Sequence, residues 1–225
     1  MKYLRKFATK ADMADLEQPN VVLIGDTSEV LYNAVPNGVY IQHIDGKLYT
    51  TEDWSAKGFV NDEANGVAVV DEKASFVIAK IGNPLTQWGA QGFIDGVASV
   101  SSPSFASGDY NGIKNTSIIA AAYADSAAYQ CENYTFPSGA KGYLPAGGEM
   151  KIAAKKSSEI ENAMSIIGGE SLYGVGTSYY KGKIWTSTQC NSDPFAVYME
   201  WSTGSLSEAN KILAMASRAF APLNI

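Results

Sequence analysis

Apolar positions follow several distinct rhythms along this chain, and each rhythm predicts a different element. Over residues 1–17, Leu4, Phe7, Ala11 and Ala14 recur at near-helical spacing until Pro19 stops the pattern. Thr9, with Asp12 three residues on, can start such a helix by accepting a bond from a free backbone N–H. The stretch VVLIGDTSEVLYN then predicts two short strands around a Gly-Asp turn. GVYIQHIDGKLYTTEDW predicts a hairpin, because Asp45-Gly46 supplies the positive φ angles of a tight turn between two β-rich arms. GVAVV and SFVIAKI continue as strands, joined by the polar Asp71-Glu72-Lys73.

Beyond them the rhythm breaks. Residues 84–111 are rich in Gly, Ser and Gln, with Trp88 and Phe93 spaced among them. They predict a long loop that is either functional or packed by its own aromatics. Residues 113–131 predict one buried helix, and a second starts after Pro145, around GGEMKIAAKK. A third is marked by Ser158 and Glu161 as a capping box. Its apolar face is Ile160, Ala163, Met164 and Ile167, and Gly168-Gly169 ends it. SYYKGKIWTST, PFAVYMEW and the final stretch to SRAFAPL read as strands. Phe195, Val197, Met199 and Trp201 fall on one face, with Ala196, Tyr198 and Glu200 on the other. The mixture is α+β, divided into an N-terminal segment 1–34 and one domain over 35–225.

Composition narrows what such a domain does. With 225 residues, 46% of them apolar and 18% charged, the chain can bury a large core without staples. A net charge of −6 argues against a nucleic-acid partner, which calls for a basic face. Lys2, Arg5, Lys6 and Lys10 cluster with no apolar run behind them, so they do not form a secretory signal. IIAAAYA, residues 118–124, is too short to span a membrane, and no membrane insertion is expected. Cys131 and Cys190 are the only cysteines. A disulfide between them is possible, but two scattered thiols without an export signal are more often reduced.

Catalytic chemistry is thin. His43 is the only histidine, placed within a hairpin arm, and no GxSxG elbow or phosphate-binding glycine loop is present. The carboxylates adjacent in sequence, Asp62/Glu63 and Asp71/Glu72, read as solvated groups rather than a glycosidase dyad. Two cysteines and one histidine do not make a four-ligand zinc site, and no EF-hand pattern appears. The expectation is a binding protein that is not an enzyme, with no catalytic residues, no metal site and no cofactor.

Four segments in order carry a resemblance: GVYIQHIDGKLYT, DYNGIKNTSIIAAAYADSAAYQC, KGYLPAGGEM, and IWTSTQ…AVYMEWSTGS…NK…SRAF. Together, over residues 38–222, they resemble the C-type-lectin-like fold in its bacterial form. That fold is shared by formylglycine-generating-enzyme domains and by the variable proteins of diversity-generating retroelements. The head, YLRKFATKADMADLEQPNVVLI followed by EVLYN, resembles the opening of virion and tail-associated proteins of phages and prophages. The resemblance implies twisted antiparallel sheets with two or three helices and long loops, behind a short N-terminal helical or strand extension for attachment or oligomerisation. Pro145 is expected in the first turn of its helix and Glu149 near that helix's positive end. Trp185, Trp201, Arg218 and Phe220 fall at framework positions and are expected in the core.

The resemblance also bears on KILAMASR, which by its residues alone is either a core strand or a ligand-facing loop. It favours the loop and implies a solvent-facing ligand surface of Cys190, Asn191, Asp193, Phe195, Tyr198, Ser205, Ser207, Ile212, Leu213 and Met215. The expected partner is a host-surface protein or glycan, bound by a virion- or particle-associated protein made in the bacterial cytoplasm. Homo-oligomers, trimers above all, fit such a role. The triplets of calcium-dependent sugar lectins are missing, since QPN at 18–20 lies outside the domain, and no reactive cysteine pair suits formylglycine generation. A fixed adhesin or structural tail subunit of the same fold is the first rival, and an enzyme of the formylglycine-generating type the second.

Overall fold

The computed structural model describes residues 4–6, 21–23, 29–32, 35–174, 176 and 180–223. They fall into two compact units, 1–37 and 38–224, apart from the terminal residue. In the first unit β1 (Leu4–Lys6), β2 (Val21–Leu23) and β3 (Glu29–Tyr32) form an antiparallel sheet in the order β1-β3-β2. The two strands expected around Gly25-Asp26 are therefore β2 and β3. The helix expected over 1–17 is corrected at its start, where Leu4 lies opposite Leu31 as a strand residue. Pairing to a distant strand overrides a weak helical rhythm in so short a piece. The remainder of that segment, including Thr9, Asp12 and QPN at 18–20, lies outside the described residues.

The second unit is an α+β domain with two mostly antiparallel sheets and several helices. Its first sheet has the order β14-β7-β6-β4-β5, built from β4 (Gly38–His43), β5 (Leu48–Tyr49), β6 (Ala64–Val70), β7 (Phe76–Ile78) and β14 (Phe220–Pro222). The hairpin at Asp45-Gly46 forms, with Gly46 at φ 91. Its second arm is only two residues long, because Thr50 caps a helix. The Thr50 hydroxyl accepts from the Asp53 amide at 3.1 Å, and α1 (Thr51–Lys57) follows instead of a longer strand. Every residue of β6 is buried.

The second sheet runs β12-β11-β10-β13-β8, with β9 added beside β10. Its strands are β8 (Asn83–Thr86), β9 (Ser99–Val100), β10 (Lys183–Cys190), β11 (Phe195–Glu200), β12 (Ser205–Asn210) and β13 (Met215–Ser217). The β10–β13 and β10–β9 pairs are parallel, and the others are antiparallel. Both β8 and β9 arise within or beside the stretch expected to be one long loop. Their pairing partners, β13 and β10, lie about 130 and 90 residues away, so no local pattern announces them. Pro84 is tolerated because β8 is an edge strand.

Among the described residues, five α-helices replace the expected two or three. The helix expected over 113–131 divides into α2 (Gly112–Ala122) and α3 (Ala127–Asn133), because Ser126 restarts it by capping the Tyr129 amide at 3.1 Å. After α4 (Gly147–Lys155) and α5 (Ser157–Ile166), the chain turns at Gly168, whose φ of 65 lies in the left-handed region that favours glycine. Ser158 does not cap α5. It lies inside the helix, and Glu161 instead accepts from the Leu172 amide and the Trp201 indole, each at 2.9 Å. Pro145 sits one residue before the cap of α4 rather than in its first turn, with Ala146 as the cap.

The principal core lies between the five-stranded sheet and α4 and α5, and extends through Ile184, Met199 and Trp201 into the second sheet. Trp185, Trp201, Arg218 and Phe220 are all buried, as their framework placement implied. Arg218 donates to the Ala79 carbonyl at 3.1 Å and the Glu170 carbonyl at 3.2 Å, so the buried cation is met by backbone acceptors. Burial pulls it down to about 10, against the opposing charge of Glu170. Among the described residues no helix is long and apolar enough to cross a membrane.

Candidate functional site

The strongest concentration of specific contacts at the surface end of the second sheet surrounds Lys211. It follows β12 directly, yet its side chain is completely buried. The ammonium donates to the Gly92 carbonyl, donates to Gln189 Oε1 at 3.2 Å, and lies 4.9 Å from the centre of the Trp88 ring. Burial lowers the affinity of this amine for its proton, while Asp193 and Cys190 act the other way. A buried cation costs several kcal/mol of solvation unless matched, and here a carbonyl, an amide oxygen and an aromatic face supply the match.

Those side-chain partners lie in loop 88–97 and at the end of β10, and the lysine's backbone adds loop 191–194. Gln189, at the end of β10, accepts from the Ile94 amide at 3.1 Å and donates to the Ile94 carbonyl at 2.7 Å. The Gly92 amide donates to Asp193 Oδ1 at 2.8 Å. The Lys211 backbone closes the ring, its carbonyl accepting from the Trp88 amide at 2.9 Å and its amide donating to the Pro194 carbonyl at 3.0 Å. Trp88 is itself fixed by its indole N–H, 2.6 Å from the Thr186 carbonyl. Loops 88–97, 191–194 and 211–214 therefore form one preorganised cluster.

On this cluster Phe93 is 50% exposed and Ile212 46% exposed. The turn carrying Ile212 is shaped by Asn210, which accepts the Ile212 amide on its side chain at 3.2 Å and the Leu213 amide on its carbonyl at 3.0 Å. Asp95, Asn191 and Asp193 are exposed around the apolar residues, while the one lysine among these loops is turned inward. An apolar centre with an acidic and amide rim suits noncovalent recognition.

The residues expected to bind ligand separate into three groups. Asn191, Asp193, Ile212 and Leu213 are brought together at the loop cluster, Leu213 half-buried. Tyr198, Ser205 and Ser207 lie on one face of the β11–β12 hairpin. Tyr198 stands opposite Ser207, edge-on to Trp185 at 6.4 Å, with the Lys183 ammonium 5.6 Å from its ring. Phe195 points to the opposite face, where it packs with Val197, Cys190, Ala106 and Leu206.

Two of the expected surface residues are corrected. Met215 is completely buried in β13 opposite Thr86, and Cys190 is buried at the end of β10. KILAMASR thus divides between the two readings of the sequence: Ile212 and Ala214 are exposed, and Met215 onward is core strand. Pairing with β8 and β10 draws Met215 inside, and neither partner is adjacent in sequence. Phe93 was visible as an aromatic in a glycine-rich loop. Nothing local distinguished Lys211 and Gln189, since both residue types are ordinarily solvated.

A second polar cluster lies beneath the sheet, at the start of α4. The pairing of β10 with β11 shifts register between Trp185 and Gln189, and Thr188 within that stretch is fully buried. There its hydroxyl donates to Asp109 Oδ2 at 2.7 Å and accepts from the Gly147 amide at 3.1 Å. Asp109 also accepts from Asn115 at 2.9 Å, from the Asn111 amide at 2.9 Å and from the Asn111 side chain at 3.0 Å. Glu149 completes the cluster, with Oε2 accepting the Ala146 amide at 2.7 Å and Oε1 accepting the Tyr143 hydroxyl at 3.1 Å. Burial raises Glu149 to about 7, with the nearby Asp109 charge adding to it and the two hydrogen bonds opposing it.

The remaining reactive side chains have structural surroundings. Both cysteines are free thiols, and burial pushes each up to about 12, with Glu208 adding to the effect at Cys190. His43 sits among Tyr49, Trp54 and Phe59, its Nδ1 2.8 Å from Asp45 Oδ1. Glu63 and Asp71 accept nearby backbone amides, Val60 at 2.8 Å and Lys73 at 3.1 Å. Among the described residues no group of three His, Cys, Asp or Glu side chains could hold a metal ion. Set against known proteins, the chain matches no family model, no curated protein and no solved structure.

Proposed function

We propose that this chain is a non-enzymatic ligand-binding protein with a C-type-lectin-like fold, carried on a phage tail or related particle. Its ligand surface is the loop cluster around Lys211, continued onto the Tyr198–Ser207 face of the hairpin. The observation that carries this reading is the buried lysine tying three loops into one rigid platform beneath exposed Phe93 and Ile212. Preorganised loops bind without the entropic cost of ordering, and exposed aromatic and aliphatic anchors supply the contact area. Thiols as basic as Cys131 and Cys190 are poor nucleophiles at neutral pH, which weighs against cysteine-based chemistry of the formylglycine-generating kind.

The test is a binding screen of the full chain against arrays of bacterial envelope glycans and surface proteins, alongside a Phe93→Ser/Ile212→Ser variant. A ligand whose affinity drops at least about tenfold in the variant, with an unchanged melting temperature, supports the reading. Unchanged affinity in the variant overturns the assignment of this surface. Sequencing the gene's 3′ end across a population separates a diversified surface from a fixed adhesin. Diversification confined to the surface changes Asn191, Asp193, Tyr198, Ser205, Ser207 and Ile212 and spares Cys190, Met215, Lys211 and Trp185.

A further inference from the structure

The acidic cluster at the start of α4 has no part in the proposed ligand surface, yet it holds two buried carboxylates, Asp109 being near enough for its charge to raise Glu149. Glu149 and Asp109 are 5% and 7% exposed. The bonds to the Asp109 carboxylate from Asn111, Asn115 and Thr188 are all donated to it, and the Thr188 oxygen in turn holds the Gly147 amide. The space for Glu149 is opened by Gly112. A side chain there would begin 2.3 Å from Glu149 Oε2, so the carboxyl is enclosed rather than hydrated. One residue beyond Thr188 stands Gln189, which fastens loop 88–97 and Lys211.

We propose that Glu149, Asp109 and Thr188 form a proton-linked latch coupling the start of α4 to β10, and through Gln189 to the loop cluster. The proton resides on Glu149 at Oε1, which then donates to the Tyr143 oxygen, the reverse of the bond that the ionised carboxylate accepts. With Glu149 neutral, the enclosed site carries one negative charge, on Asp109. Loss of the proton puts a second charge beside it in a low-dielectric pocket. The two repel, and the strain falls on the bonds joining Gly147, Thr188 and Asp109. Among the described residues the titratable groups facing Glu149 are Tyr143 and Asp109, with Tyr110 against the neighbouring Gly148. Lys151 on the same helix reaches away, to the Gly204 carbonyl. None of the three supplies a positive charge to offset the second negative one.

The sign follows from linkage. A carboxyl raised from 4.5 to about 7 on folding keeps its proton in the folded chain where the unfolded chain has released it. Its contribution to stability is full below about 4.5 and lost as pH rises through about 7. Urea denaturation of the full chain at pH 5.5 and 8.5 reads this directly. The folding equilibrium constant is expected to fall about thirtyfold between them, and under about threefold in Glu149→Gln, which keeps the shape and carries no titrating proton. Hydrogen exchange at Gly147 and Gln189 should quicken with the same midpoint in the native chain, after correction for the intrinsic pH dependence of exchange.

A flat profile in the native chain, or an equal loss in the Gln variant, overturns the proposal. Should Glu149→Gln fail to fold, the side-chain carboxyl of Glu149 is titrated by carbon NMR in the native chain. A midpoint near 7 supports the latch, and one near 4.5 removes it.

Discussion

The two sheets of the second unit hold themselves together by different physics. The five-stranded sheet is joined by apolar burial. Ile41, Val67, Val69, Phe76 and Ile78 are all fully enclosed, and Phe76 stacks on Phe220 at 4.5 Å. The six-stranded sheet buries Thr186, Ser187, Thr188 and Gln189 in consecutive positions of β10, and adds Asp109, Asn115 and Lys211 around them. Apolar contact is non-directional, so it fixes which face turns inward but tolerates similar shapes. Buried polar groups must be matched partner by partner, so each match specifies a loop position. The first sheet supplies stability, and the second sheet spends some of its own on precision at its loop end.

The comparison can be broken most forcefully in the apolar sheet. Phe76→Ala removes a stacked ring from a closed core and should cost about 3–5 kcal/mol in urea denaturation, lowering exchange protection across the whole unit. A loss below about 1 kcal/mol would mean that the core collapses readily around the gap. Lys211→Met is expected to cost less, about 1–3 kcal/mol, by leaving the Gly92 carbonyl unmatched. Its signature should be local: amides of Gly92 and Ile94 lose protection while those of Val67 and Ile78 keep theirs relative to global unfolding. Equal protection in both sheets would show that the lysine is not the fastening. Ile212→Ser should change stability by no more than about 0.5 kcal/mol, since the side chain is open to solvent. A larger drop in melting temperature would show that Ile212 is packed and not presented.

The same contrast explains what could be read in advance. The strands of the five-stranded sheet were legible because GVYIQH, GVAVV and SFVI carry their own apolar patterns and turn residues. Gly168 was legible as the end of α5 for a similarly local reason, its left-handed backbone. Glu161 shows the limit of a motif. The spacing from Ser158 suggested a cap, but the packed indole of Trp201 and the Leu172 amide claim its carboxylate. The reciprocal bond of a capping box is made instead by Glu149 to the Ala146 amide, where alanine at the cap hides the pattern. Of the residues expected to face solvent, Asn191, Asp193 and Ile212 are exposed, whereas Cys190 and Met215 are buried through pairing with the distant strands β9 and β8.

By itself the sequence determined the α+β character, the Asp45-Gly46 and Gly168 turns that needed no distant partner, and the apolar faces of the strands in the first sheet. Each of these follows from side-chain periodicity, backbone conformational preference or transfer from water, all of which act over a few residues. Only the tertiary structure decided that a lysine flanked by polar and apolar neighbours turns inward, that two carboxylates distant in sequence are both buried at the start of one helix, and that a Met three residues beyond an exposed Ile is core. Those outcomes depend on which remote carbonyls, amides and strands arrive to satisfy or cover a group, and a buried polar atom is stable only where such partners meet it.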